Sequence, residues 1–147
     1  MKTKRTIIPT RDYTAKVSGK LLVEFFIPGQ PVPSERVRRG KGNRFYMPKR
    51  SADYRKHIIE HLPDALLKAA PVKTPVCLIA FFDREGNRKC DIDNLVKAIQ
   101  DALLGVVYTD DSQVTILLGS KSTVDEGDGG VRVAILLDAD MRAEAGR

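Results

Sequence analysis

PVCLIAFFDREGNRKCDIDNLVKAIQDALLG, residues 75–105, holds the two patterns that decide the fold. Its first part, Pro75–Phe82 (PVCLIAFF), is almost continuously apolar. A run this short, bounded by proline on one side and polar residues on the other, fits a strand buried on both faces better than a helix. Asp83–Lys89 (DREGNRK) is a polar turn. The pattern then changes period. Leu95, Ile99, Ala102 and Leu103 recur at helical spacing and form one buried face. Asp93 suits the helix cap, and Gly105 stands where a left-handed glycine ends a helix.

The neighbouring segments extend this strand–helix pair in both directions. Downstream, Tyr108–Ser112 (YTDDS) is a turn, Gln113–Ser122 a strand, Asp125–Gly130 (DEGDGG) a tight turn, and Val131–Leu137 a returning strand. Upstream, Leu21–Ile27 (LLVEFFI) is a strand stopped by Pro28–Gly29. Ser51 is a fitting N-cap for a helix whose apolar stripe is Tyr54, Ile58 and Leu62. Pro63 kinks or ends that helix, and residues 64–70 resume it. The order β-α-β-α-β-β predicts an α/β (α+β) fold, a mixed sheet with two helices packed on one face. One domain, residues 20–138, accounts for the periodic sequence, with a flexible basic arm at 1–19 and a frayed tail at 139–147.

The chain of 147 residues carries a net charge of +6. That excess fits an anionic partner, nucleic acid foremost, and equally a merely solvated basic surface. It concentrates in residues 31–50 (PVPSERVRRGKGNRFYMPKR), where seven Lys/Arg face one acid, Glu35. This segment reads as a mobile basic loop or a loose hairpin reaching Phe45–Met47. Cys77 and Cys90 have no C-x-x-C spacing and imply no disulfide framework, which suits a reducing cytoplasm. No apolar run approaches the ~20 residues that cross a bilayer, and Met1–Lys20 lacks a secretory core.

The acids carry the chemistry. Asp91 and Asp93 straddle a strand-to-helix junction, and in extended backbone residues two apart share a side. Asp110–Asp111 opens the next strand. If that strand lies beside the one ending near Asp91, a third carboxylate reaches the same edge. Three such acids around one or two hard cations suit phosphodiester hydrolysis. Taken singly, Asp93 serves equally as a cap and Asp110–Asp111 as a turn. Lys97, one helical turn beyond Asp93, suits a scissile phosphate or an ordinary ion pair with Asp93 or Asp101. Phosphate-gripping candidates are Ser34, Arg36, Arg38 and Arg39 in the loop, and Arg88 and Lys89 just before Asp91.

A competing metal pattern is His57–Ile58–Ile59–Glu60–His61, the H-x-x-E-H arrangement of inverted zinc peptidases. The same helix must bury Tyr54, Ile58 and Leu62, and no third ligand is evident in the sequence.

KCDIDNLVKAIQDALLGVVYTDDSQV, residues 89–114, resembles the signature of the RusA family of Holliday junction resolvases. That family carries D-[IL]-D-N-L-x-K-A-x-x-D-A-L followed by D-D-[SA]-Q-[VI]. GQPVPSERVRRG and FYMPKRSADYR resemble its basic N-terminal segment, and the likeness spans roughly residues 21–138. The resemblance implies a RusA-like fold and a homodimer, encoded by a bacterium or phage. It implies a Mg²⁺-dependent nuclease, Mn²⁺ being the alternative ion, that nicks branched DNA, the four-way junction, symmetrically in recombination and repair. It also implies that Asp91, Asp93 and Asp111 hold the metal and that Lys97 joins them, with Asp110 and Asn94 as lesser members. The long arm and Glu35 depart from the pattern and bear on DNA contact rather than chemistry. Two other readings are a non-catalytic nucleic-acid-binding module and the zinc peptidase on His57, Glu60 and His61. A sugar-nucleotide transferase of the D-x-D type is a poor match to this length.

Overall fold

The computed structural model describes residues 20–137, so the arm and the tail read from the sequence lie outside the described residues. The elements run β1 (Lys20–Pro28), β2 (Arg38–Arg39), β3 (Phe45–Tyr46), α1 (Lys49–Glu60), α2 (Asp64–Lys68), β4 (Val76–Glu85), α3 (Ile92–Leu103), β5 (Val114–Val124) and β6 (Gly130–Leu137). The four long strands form one mixed sheet in the order β1-β6-β4-β5, and β2 and β3 form a separate antiparallel hairpin. The expected α+β architecture is therefore present, with the resumed helix after Pro63 standing as a short element of its own.

β4 is central. It pairs antiparallel with β6 on one side and parallel with β5 on the other. Val76, Leu78, Ala80 and Phe82 meet the helices, while Cys77, Ile79 and Phe81 join a second apolar cluster with Ala134 and Leu136. A strand with neighbours on both edges and cover on both faces must be apolar throughout, which is why its sequence shows no alternation.

The helices pack on one face of the sheet. Tyr54, Ile58 and Leu62 from the first helical segment meet Leu95, Ile99, Ala102 and Leu103 of α3 in the main core. Gly119 of β5 lets α3 approach: a Cβ there would meet Val96 at 3.1 Å and Ile92 at 3.5 Å. Gly105 ends the helical region at φ +82°, the left-handed conformation that favours glycine. Ile99 is fully buried. Ile99→Ala is expected to cost ~2–5 kcal/mol in urea unfolding through lost transfer energy and a residual cavity. A loss under ~1 kcal/mol would show that the site collapses around the smaller side chain.

One local expectation needs correction. α1 begins at Lys49 with Pro48 in the cap position, so Ser51 lies inside the helix. Its Oγ instead accepts a hydrogen bond from the Glu35 amide at 3.0 Å, tying the basic loop to the helix. Pro48 holds the cap in extended backbone, ψ 140°, and its carbonyl accepts the first helical bond from the Ala52 amide at 3.0 Å. Among the described residues, no helix is long and apolar enough to cross a membrane.

Candidate active site and nucleic-acid interface

Asp91 occupies the N-cap position of α3 in extended backbone, and its carboxylate makes no capping bond. Asp93 is the second helical residue, and its Oδ1 accepts from the Asn94 amide at 2.9 Å. The cap is therefore Asp91, not Asp93. The i, i+2 argument from extended backbone fails as well, because Asp93 has already entered the helix. Both side chains are exposed. The positive end of the helix dipole favours carboxylates here and leaves their oxygens to solvent.

Lys97 lies one turn along α3. Its Nζ stands 3.6 Å from Asp101 Oδ1, and Asp101 also faces Arg55 of α1 at 3.9 Å. The lysine thus leans away from Asp93 in this arrangement, and 62% of its side chain is exposed. An exposed pair of this kind is worth under ~1 kcal/mol, so Lys97 is free to swing toward a phosphate at little cost. Lys97→Ala is expected to cut nicking ~10²–10³-fold, the effect of removing one stabilising donor, and to leave urea stability within ~1 kcal/mol. An undiminished rate would make it a surface lysine only.

The basic loop is anchored against this end of α3. The Ser34 amide donates to the Asn94 carbonyl at 2.9 Å, which sets the loop's root beside Asp93. Glu35 is engaged by Arg38 at 3.3 Å, so the single acid of the loop is largely neutralised locally. Arg36, Arg38 and Arg39 are exposed, as a phosphate-facing surface requires.

A cleft of about 280 Å³ opens at Cys90, the residue before Asp91, lined by Arg84, Asn87, Arg88, Lys89, Cys90 and Lys121 among others. Lys121 donates to the Cys90 carbonyl. Arg84 is only 7% exposed; its Nη1 donates to the Arg88 carbonyl at 3.0 Å, and its Nε has no partner among the described residues. With no ion-pair partner among the described residues, Arg84 lends its positive charge to the cleft it lines, which suits an arriving phosphate. Arg88 and Lys89 were expected near the site; Arg84 and Lys121 were not. Arg84 continues the even-numbered, helix-facing series of β4 through Phe82, a signal present in the sequence. Lys121 depends on the β4–β5 register, in which it pairs with Phe82.

Asp110 and Asp111 lie elsewhere. Asp110 caps a 3₁₀ turn at Asp111–Gln113, with Ser112 and Gln113 completing a capping box. The Ser112 amide holds the Asp110 carboxyl below its ordinary pKa. Asp111 begins that turn, exposed, just before β5. β5 starts opposite the start of β4, with Val114 paired to Val76. The first turn of α3 packs instead at Gly119, five residues further along, or ~16 Å of strand. Asp111 also sits with Tyr108, whose phenol is pushed up by burial first and then by the charges of Asp111 and Asp101. That phenol donates to the Gln100 carbonyl, in the second half of α3. Ligands of one Mg²⁺ each lie ~2.1 Å from the ion, so Asp111 does not reach an ion shared with Asp91 and Asp93 of its own chain. The expected convergence fails because β4 and β5 run parallel, which puts the start of β5 at the far end of the sheet from α3's first turn. Among the described residues no three of His, Cys, Asp and Glu gather as a metal site.

The zinc pattern also resolves structurally. His57 Nε2 is 2.6 Å from the Pro28 carbonyl, to which it donates, and His61 Nδ1 donates to the His57 carbonyl at 2.8 Å. Each ring spends a nitrogen on backbone, and no third ligand joins them among the described residues, so His57 serves to pin α1 to the end of β1.

Exposed carboxylates on the first turn of α3, with basic residues on the adjoining loop and cleft, fit a phosphodiester-directed enzyme better than a plain polyanion binder, whose bound phosphates such acids would repel. The family described as endodeoxyribonuclease RusA matches residues 28–136, and the chain belongs to that family. No curated protein matches the chain.

Proposed function

We propose that this protein is a homodimeric, divalent-metal-dependent endonuclease that resolves four-way DNA junctions by paired symmetric nicks in recombination and repair. The observation that carries the reading is Asp91 and Asp93 at the start of α3, with Lys97 one turn on, the root of the basic loop bonded to Asn94 and the Arg84–Lys121 cleft reaching Cys90.

The donor set fits a hard cation. Mg²⁺ commonly takes one or two carboxylates and completes its octahedron with water and substrate phosphate, and Mn²⁺ accepts the same ligands. Such an ion supplies Lewis acidity and a water of lowered pKa at the scissile phosphate. The chain's own groups do the rest. Asp91 and Asp93 offer oxygens from a fixed helix start. Lys97 leaves Asp101 to hold a phosphate oxygen as charge develops. Ser34, Arg36, Arg38 and Arg39 in the loop, and Arg88 and Lys89 in the cleft, grip backbone phosphates and set register without reading bases.

The position of Asp111 supports the dimer. In a two-fold dimer, any surface that brings Asp111 of the partner subunit to Asp91 and Asp93 of one protomer does the reverse at the second site. Two complete sites then face two strands of a junction that is itself two-fold symmetric.

The test is nicking of a synthetic four-way junction beside a linear duplex of the same arms, with Mg²⁺ and with EDTA. Paired nicks confined to the junction and abolished by EDTA are expected. The separation of Asp111 from the other acids favours one rival, a module that binds DNA without cutting it. Junction binding unchanged by EDTA, with no nicking under Mg²⁺ or Mn²⁺, would establish that rival.

A further inference from the structure

Phe45 and Tyr46 follow one another on the β2–β3 hairpin, 70% and 51% exposed, so one ring stands on each face of the hairpin, and Phe45 is the most exposed large apolar side chain among the described residues. β2 and β3 pair Arg38 with Tyr46 and Arg39 with Phe45. Between them, Gly42 (φ +70°) and Asn43 (φ +60°) turn the chain, and Arg39 binds the Asn43 side chain at 2.6 Å. The Arg39 guanidinium also lies 6.0 Å from the Phe45 ring centre. Gly40 leaves room for the Tyr46 ring, which a Cβ would meet at 3.3 Å. The two rings are thus held in place without being buried.

We propose that this hairpin is an aromatic wedge whose Phe45 and Tyr46 stack on DNA bases exposed at the branch point, and so select branched over linear DNA. The proposal rests on the nuclease reading and deepens it. Charge chooses the occupant. Arg38 and Arg39 lie across the hairpin from Tyr46 and Phe45, Arg36, Lys41 and Arg44 flank them in the sequence, and Glu35 is already paired with Arg38. A second copy of the hairpin would bring like charges together, and a neutral apolar partner has no use for five cations. A nucleic-acid base fits both features: its face stacks on the ring while its flanking phosphates meet the guanidinium groups. Bases inside a continuous duplex already stack on both faces. A protein ring gains only where that stack is broken, as at a branch.

Phosphate grips alone do not make this distinction, because every DNA carries phosphates. The wedge is also placed for it. The hairpin's root is fixed to α3 through Ser34 and Asn94, next to Asp93. From Ser34 to Arg39 is five residues, at most ~17 Å of extended chain. At ~3.4 Å per step along a strand, the branch point would lie within about five nucleotides of Asp93.

The test compares full-length wild type, the Phe45→Ala/Tyr46→Ala double variant, Tyr46→Phe and Arg44→Gln, in EDTA, on a junction and a linear duplex. The junctions carry 2-aminopurine beside the branch. The double variant is expected to lose junction affinity about five- to a hundredfold, to hold duplex affinity within about twofold, and to lose the 2-aminopurine signal. Tyr46→Phe keeps wild-type behaviour, and Arg44→Gln weakens both DNAs alike with a shallower salt dependence. Because both rings are exposed, thermal melting of the double variant should match wild type. Equal losses on junction and duplex, or no loss on either, would overturn the wedge while leaving nuclease activity intact. If wild type itself shows no preference for junctions, the junction reading falls. The wedge is then decided on single-stranded 2-aminopurine DNA: quenching lost in the double variant upholds it, and no quenching by wild type ends it.

Discussion

Asp93→Asn protein is expected to bind a four-way junction as tightly as wild type or more tightly, and to nick it at least about a hundredfold more slowly. Loss of groups that merely orient metal ligands already costs ~10–100-fold, so loss of a ligand costs no less. Asn keeps the volume of Asp and leaves the start of α3 intact, since Asp93 bonds only the adjacent Asn94 amide. Asp91→Asn should behave alike, because its carboxylate makes no capping bond to lose. Removing a negative charge from beside a phosphate lowers repulsion, hence the equal or tighter binding. Gel-shift titration in EDTA and single-turnover nicking in Mg²⁺ separate the two effects. Wild-type rates in both variants would remove these residues from the site.

Mixing Asp93→Asn subunits with Asp111→Asn subunits is expected to regain nicking that neither variant shows alone. The parallel β4–β5 pairing keeps Asp111 about a strand's half-length from α3's first turn, so the proposed dimer would complete each site with Asp111 from the second subunit. In the mixed dimer, one site then carries both substitutions and the other carries neither. Random exchange makes half the molecules mixed, each with one intact site, or about a quarter of the wild-type number. Those molecules should leave single nicks, not pairs. A site built within one chain would carry one substitution in every copy and stay silent. Refolding the two variants together and scoring nicks per junction reads the difference directly. No recovery, in a mixture shown to exchange subunits, would sink the shared site.

Much of the fold was legible. The apolar run at Pro75–Phe82 marked the central strand because a strand flanked and covered on all sides tolerates little but apolar residues. The helix over residues 92–103 showed its buried face because a helix against a sheet must present apolar residues every three to four positions. The helix starts were less legible. Ser51 and Asp93 looked like caps by type, yet Pro48 and Asp91 hold those positions. Many residues can cap, and only backbone geometry selects among neighbours. The cleft was half legible: Arg88 and Lys89 stood next to Asp91 in sequence, whereas Lys121 reached Cys90 only through strand register.

The sequence by itself determined the elements, the central strand, the family signature and the residue types available for chemistry, because these depend on local pattern and motif. Only the tertiary structure decided which of those residues meet. Strand direction is not written in any one strand: β5 would look the same in sequence whether it lay parallel or antiparallel to β4. Its parallel course carried Asp111 away from Asp91 and Asp93, brought Lys121 to Cys90 beside Asp91, and turned three acids that looked like one site into two parts, for which a second copy of the chain is the proposed link.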